Sequence, residues 1–201
     1  MTSIKEEYEL KISFLEGKMR YRAEHAGLRK ELIARAMGEH PRNQPYIVDA
    51  TAGLGRDSFI LATLGFKITL LERALPVFEA LQKALNEAKP IYPQTIERMH
   101  LVHTDAIEWL KETSPKPDII CLDPMFPERK KSASVKKEMV ILQKLLGKDE
   151  DHDLLFLTAL ANAKKRVVVK RPKLAPNCSD RAPNFSLTGK SSRLDVYLIK
   201  E

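Results

Sequence analysis

The run Asp123-Pro124-Met125-Phe126-Pro127 sets a carboxylate, a proline carbonyl and an aromatic ring within five residues. An exocyclic amine on a nucleobase is a poor nucleophile, because its lone pair is delocalised into the ring. Chemistry at such a nitrogen needs two acceptors that hold its N–H bonds and aim the lone pair at an electrophile. The Asp123 carboxylate and the Pro124 carbonyl can be those acceptors, and Phe126 can stack on a base taken out of its helix. The competing interpretation is a rigid, proline-bracketed turn carrying a core phenylalanine. Neither requires a metal or a covalent enzyme intermediate.

A second run, D-A-T-A-G-L-G-R-D over residues 49–57, follows an apolar stretch and precedes a helical one. Gly53 and Gly55 there let backbone N–H groups come close to a ligand at the turn from strand to helix. Ser58 stands where a dinucleotide fingerprint usually has its third glycine, which weighs against hydride transfer. Glu72 comes seventeen residues after Gly55, near the spacing at which an acidic side chain accepts ribose hydroxyls. It could equally be a solvated carboxylate paired with Arg73. Asp105 can meet an adenine amino group, cap the helix that starts at Ala106, or do both.

Basic side chains crowd the same region. Arg129, Lys130, Lys131, Lys136 and Lys137 follow the Asp-Pro run, and Lys170, Arg171 and Lys173 follow a later β-prone segment, so a phosphate track is expected along this edge. An ordinary solvated lysine cluster is the alternative. The five histidines lack ligand spacing, and Trp109 reads as core.

The elements that must position these residues alternate. Strands are expected at 46–50, 66–71, 99–103, 118–122 and 166–170, with an antiparallel pair at 185–187 and 194–199 around Thr188-Gly189. Helices are expected at 56–64, from near Pro76 to 88, and at 106–111, 136–146 and 151–163, with Asp151 as the cap of the last. Pro90 and Pro93 mark a loop. In the head, Leu10, Ile12 and Phe14 alternate with polar residues as a short strand, a basic stretch covers 17–29, and 30–37 reads as helix. Strands joined by helical crossovers imply a mostly parallel sheet covered on both faces, with ligands at the carboxyl ends of its strands.

Composition sets the outer bounds. A chain of 201 residues, 43% hydrophobic and 30% charged, fits one globular domain. No apolar run approaches the roughly 20 residues of a membrane helix, so a cytoplasmic protein without membrane association is expected. Cys121 and Cys178 are too few for a disulfide framework or a zinc site and read as free thiols. The net charge of +7 favours a polyanionic partner.

The motifs V-D-A-T-A-G-L-G-R-D-S-F, L-L-E-R, C-L-D-P-M-F-P-E-R-K-K-S-A, V-K-K-E-M, V-V-V-K-R-P and the late S-R-L-D-V-Y together resemble the ribosomal RNA small subunit methyltransferase J family. The resemblance implies a Rossmann-like class I methyltransferase fold with a mostly parallel seven-stranded sheet and a short N-terminal extension. Residues 1–40 would be that extension and 41–201 the methyltransferase domain. It implies S-adenosylmethionine as cofactor and methylation of a guanine N2 amine in 16S ribosomal RNA, bare or in the small subunit. By the same resemblance Arg56, Asp57, Glu72, Arg73, Asp105, Ala106 and Asp123 fall on cofactor-contact positions, beside Gly53 and Gly55. The chain begins later than is usual in that family, its head around residues 25–30 is less glycine-rich, and Met125 replaces the second proline of the broader amino-methyltransferase pattern. A DNA amino-methyltransferase and a non-catalytic, RNA-binding ribosome-assembly factor are the alternative functions.

Overall fold

The computed structural model describes residues 10–124 and 151–200. Seven strands form one sheet in the order β3-β2-β1-β4-β5-β7-β6. They are β1 (Ile47–Asp49), β2 (Ile68–Glu72), β3 (Met99–His103), β4 (Ile119–Leu122), β5 (Arg166–Pro172), β6 (Phe185–Thr188) and β7 (Ser192–Leu198). The first five run parallel, and β7 is antiparallel to both β5 and β6. The order reverses between β1 and β4, which pair with Asp49 opposite Cys121. The segments leaving these two strands therefore diverge and open a crevice at their carboxyl ends.

Among the described residues, helices α1 (Gly17–Glu24), α2 (Leu32–Met37), α3 (Arg56–Thr63), α4 (Leu75–Ala88) and α5 (Pro93–Glu97) pack mainly on one face, and α6 (Ala106–Glu112) and α7 (His152–Asn162) on the other. The reason is legible in α4, where Val77, Leu81, Ala84, Leu85 and Ala88 are buried at helical spacing and the remaining face is polar. Side chains alternate along each strand, so Val168 joins the core under α2 and α3 while Val167 and Val169 join the core under α6 and α7. The valine-rich β5 is buried on both sides, as a central parallel strand should be.

The expected strand at Leu10, Ile12 and Phe14 does not form, although all three side chains are buried. The alternation is met instead by packing in the helical core, and Phe14 stacks on Phe59 of α3 with ring centroids 4.3 Å apart. The expected loop at Pro93 is instead the first turn of α5, where a proline is tolerated because its missing N–H would have no partner there. Asp151 sits at the cap position of α7 without a side-chain capping bond, because its carboxylate accepts from Arg73 Nη1 at 2.6 Å. The expected helix at 136–146 lies outside the described residues.

The late S-R-L-D-V-Y motif has a structural use. Asp195 is fully buried on β7, where it accepts from Arg193 Nε at 2.8 Å and from the Ser186 hydroxyl at 2.6 Å. Arg193 Nη1 also donates to the carbonyls of Lys173 and Ala175 at 2.9 and 2.7 Å, which ties the segment after β5 to β7.

Candidate functional site

A cleft of about 570 Å³ opens at the carboxyl ends of β1, β2, β4 and β5, within the size range of small-molecule sites. Its floor is the turn after β1. Gly53 and Gly55 both have positive φ, +50° and +64°, which glycine adopts without steric penalty. They serve different ends. A β-carbon on Gly55 would lie 2.7 Å from Leu81 Cδ1, so this glycine lets α3 start tight against α4. A β-carbon on Gly53 would find only the Thr51 carbonyl, at 3.7 Å, so this glycine leaves the cleft floor open to a ligand.

Glu72 ends β2 and is 5% exposed, yet it lines the cleft. Its Oε2 accepts from Gly53 N at 2.9 Å and its Oε1 from Ala74 N at 2.8 Å. Burial raises its pKa above the usual carboxylate range, and these backbone donors oppose the rise. The carboxylate is thus oriented by its own backbone neighbours and keeps lone pairs for further hydrogen bonds. Asp105 caps α6, accepting from Ile107 N at 2.8 Å and Glu108 N at 3.3 Å, while also lining the cleft beside Ala106. Arg73 lies between Asp105, at 3.8 Å, and Asp151. Arg56, the first residue of α3, lines the cleft as well.

The other end of the cleft is built around Asp123 and Pro124, directly after β4. The Asp123 backbone N–H donates to Thr51 Oγ1 at 2.6 Å, which ties the β4 exit to the turn after β1. The Asp123 carboxylate is half exposed, and its Oδ2 accepts from Lys170 Nζ at 2.8 Å. Lys170 Nζ also donates to Asp57 Oδ2 at 2.8 Å, and Asp57 Oδ1 accepts from Arg22 Nη1 at 2.9 Å. Arg22 in turn binds Glu31 through Nη2 at 2.7 Å, which joins the head of the chain to the site.

Asp49 completes the cluster. It sits at the end of β1, hydrogen-bonded to the Ser58 hydroxyl and to Thr51 N. Burial, reinforced by Asp123 and Asp57 and opposed by these donors, pushes its pKa up to about 6. Asp57 goes the other way: burial would raise it, but Lys170 and Arg22 hold it below the usual range. The pKa of Asp123 is raised, because desolvation in the cleft, joined by the like charge of Asp57, outweighs the pull of Lys170. Burial works against the Lys170 ammonium, but Asp123 and Asp57 more than compensate and raise its pKa.

The cleft thus brings together Gly53, Gly55, Arg56, Asp57, Glu72, Arg73, Asp105, Ala106, Asp123 and Pro124. Phe126, Arg129, Lys130, Lys131, Lys136 and Lys137 lie outside the described residues. Lys170 and Arg171, expected on a phosphate track, also line this cleft but are engaged by protein groups. Strand β5 runs through Pro172, so the two neighbours point to opposite faces of the sheet. Lys170 turns toward Asp57 of α3 and Asp123 after β4, while Arg171 is 4% exposed and lies beside the Cys178 thiol. Lys173, beyond the strand, is exposed. Thr51, Asp49 and Arg22 were not singled out as site residues. The first two stood inside the glycine motif, and Arg22 carries no local signal, because its partner Asp57 is 35 residues away.

The described residues include no helix long and apolar enough to cross a membrane. Residues 2–199 match the family model described as SAM-dependent methyltransferase. The chain is 47% identical over 195 residues to the ribosomal RNA small subunit methyltransferase J of Thioalkalivibrio sulfidiphilus, covering 94% of this chain and 76% of that protein. It is 47% identical over 191 residues to the protein of the same name from Aeromonas hydrophila, covering 94% and 77%. The crystal structure of a SAM-dependent methyltransferase from Neisseria gonorrhoeae superposes with a TM-score of 0.71 at 36% identity, covering 97% of this chain and 76% of that one. An RNA methyltransferase from Salinibacter ruber, solved with S-adenosyl-L-homocysteine, shares the fold at a TM-score of 0.55 and 12% identity, over 86% and 92% of the two chains.

Proposed function

The chain belongs to the ribosomal RNA small subunit methyltransferase J family of SAM-dependent methyltransferases, and on that premise we propose that it methylates the N2 amine of a guanine in 16S ribosomal RNA. Its working place is the cytoplasm, where that RNA is assembled. Residues 1–40 form an N-terminal extension, and 41–201 the methyltransferase domain. The observation that carries the substrate chemistry is the position of Asp123, a carboxylate at the end of β4 in the cleft that also contains Gly53 and Glu72.

The residues present fit the cofactor. The open side of Gly53 leaves room for a ligand against backbone, Glu72 has acceptor capacity for ribose hydroxyls, and Asp105 lines the cleft with a carboxylate that can accept from an adenine amino group. S-adenosylmethionine supplies an electrophilic methyl group on a positively charged sulfur. The acidic cluster of Asp49, Asp57 and Asp123 favours a cation beside it. Asp123 and the Pro124 carbonyl hold the guanine amine through its two N–H bonds, so that the nitrogen lone pair points at the methyl. Catalysis is then chiefly positioning and preorganised hydrogen bonding for a single in-line displacement. In this reading Phe126 has the role of stacking on the flipped base, and Arg129, Lys130, Lys131, Lys136 and Lys137 that of contacting phosphates.

Incubation with isotopically labelled S-adenosylmethionine and either bare 16S RNA or small subunits, followed by nucleoside mass analysis, tests this function. Label in N2-methylguanosine is expected. Label in another nucleoside, or none with either substrate, would refute the assignment.

A further inference from the structure

Lys170 is not free to serve as a surface phosphate contact. Leu122 pairs with Val169 in the parallel register of β4 and β5, so the next residues along, Asp123 and Lys170, are brought side by side. The ammonium is then fixed from a second direction, because Asp57 on α3 accepts from it at 2.8 Å and is itself held by Arg22 of α1. An RNA phosphate would have to displace two carboxylates from this lysine while facing Asp49, Asp57 and Asp123, a repulsive setting for an anion.

We propose that Lys170 is a positioning residue for methyl transfer, orienting the Asp123 carboxylate toward the substrate amine rather than contacting RNA. This rests on the amine-holding role given to Asp123 above. Among the described residues, the charged groups around Asp123 are Asp49 from β1, Asp57 from α3, Lys170 from β5 and, behind Asp57, Arg22 from α1. Three carboxylates converge and Lys170 bridges two of them, so its ammonium offsets their mutual repulsion. A protonated Asp123 would lose acceptor capacity toward an amine that has only N–H groups to offer. By occupying Oδ2, Lys170 would leave Oδ1 as the acceptor for the substrate amine.

The test pairs Lys170→Met with Asp57→Asn in the full chain and follows the Asp123 carboxyl carbon by NMR across pH. The midpoint of Asp123 should rise in Lys170→Met by about one unit, the effect of losing a close opposite charge. It should fall in Asp57→Asn, which removes a like charge while keeping the lysine. In methylation assays at saturating cofactor, kcat of Lys170→Met should drop about tenfold or more, as for loss of a preorganised group. Its KM for RNA and its salt dependence should stay near wild type, the acidic limb of its kcat profile should move to higher pH, and Lys170→Arg should restore most of the rate. An unmoved Asp123 midpoint in both variants would overturn the proposal. So would a Lys170→Met enzyme with wild-type kcat, raised RNA KM and a shallower salt slope, the signature of a phosphate contact. An inactive wild type would count against the RNA substrate instead, and the carboxyl titration would still decide the role of Lys170.

Discussion

Glu72 Oε2 accepts a hydrogen bond from the Gly53 backbone at 2.9 Å, so the last side chain of β2 and the glycine turn after β1 are locked together as one surface. A ligand whose ribose meets Glu72 must therefore pass over Gly53, which has no side chain to obstruct it. Replacing Glu72 by Ala should weaken S-adenosylmethionine binding by about 1 to 3 kcal/mol, the usual loss for charged hydrogen bonds. Glu72→Gln, which keeps one acceptor, should fall between the two. Titration calorimetry gives both affinities, and unchanged binding in the alanine variant would remove Glu72 from the site.

Asp49 links the site to stability through pH. Its pKa of about 6 lies above the ordinary 3.8, so the folded state binds this proton more tightly than the unfolded chain does. Its contribution to stability is therefore largest at low pH and is lost as pH rises through about 6. Asp49→Asn, which cannot ionise, should gain stability relative to wild type between pH 4 and pH 7. Thermal melting across that range checks the sign, and a difference that is flat or moves the other way would contradict it.

The Arg193–Asp195 pair should matter for folding more than for chemistry. Asp195 has no exposure, and Arg193→Ala would strand its charge, at a cost of about 3 to 5 kcal/mol. Changing Asp195 to Ala as well should recover part of that loss, because the unpaired charge goes with it. Denaturant unfolding of the two single variants and the double variant measures the coupling. Additive losses would mean that the pair is not a unit.

The sheet was legible wherever a local pattern carries the information. Ile119–Leu122 is a short apolar run that follows the turn signals Pro115 and Pro117, and it forms the buried strand expected there. Glu72 closes β2 and Asp105 follows β3, and both line the cleft. What escaped the sequence depends on distant partners. Leu10, Ile12 and Phe14 have a strand's alternation but bury themselves against α3 and its neighbours, and Asp151 is drawn from its capping role by Arg73, 78 residues away. Lys170 and Arg171 looked like one basic patch because β5 was expected to end at Lys170. Two more residues of strand send them to opposite faces.

The most direct test of the account is single-turnover methylation by Asp123→Ala at saturating RNA and cofactor, with cofactor affinity and melting temperature measured on the same preparation. Removing a preorganised acceptor should slow methyl transfer by about a hundredfold or more, with the protein still folded and still binding S-adenosylmethionine. A near wild-type single-turnover rate would contradict amine positioning by Asp123 and reduce residues 123–127 to a structural turn.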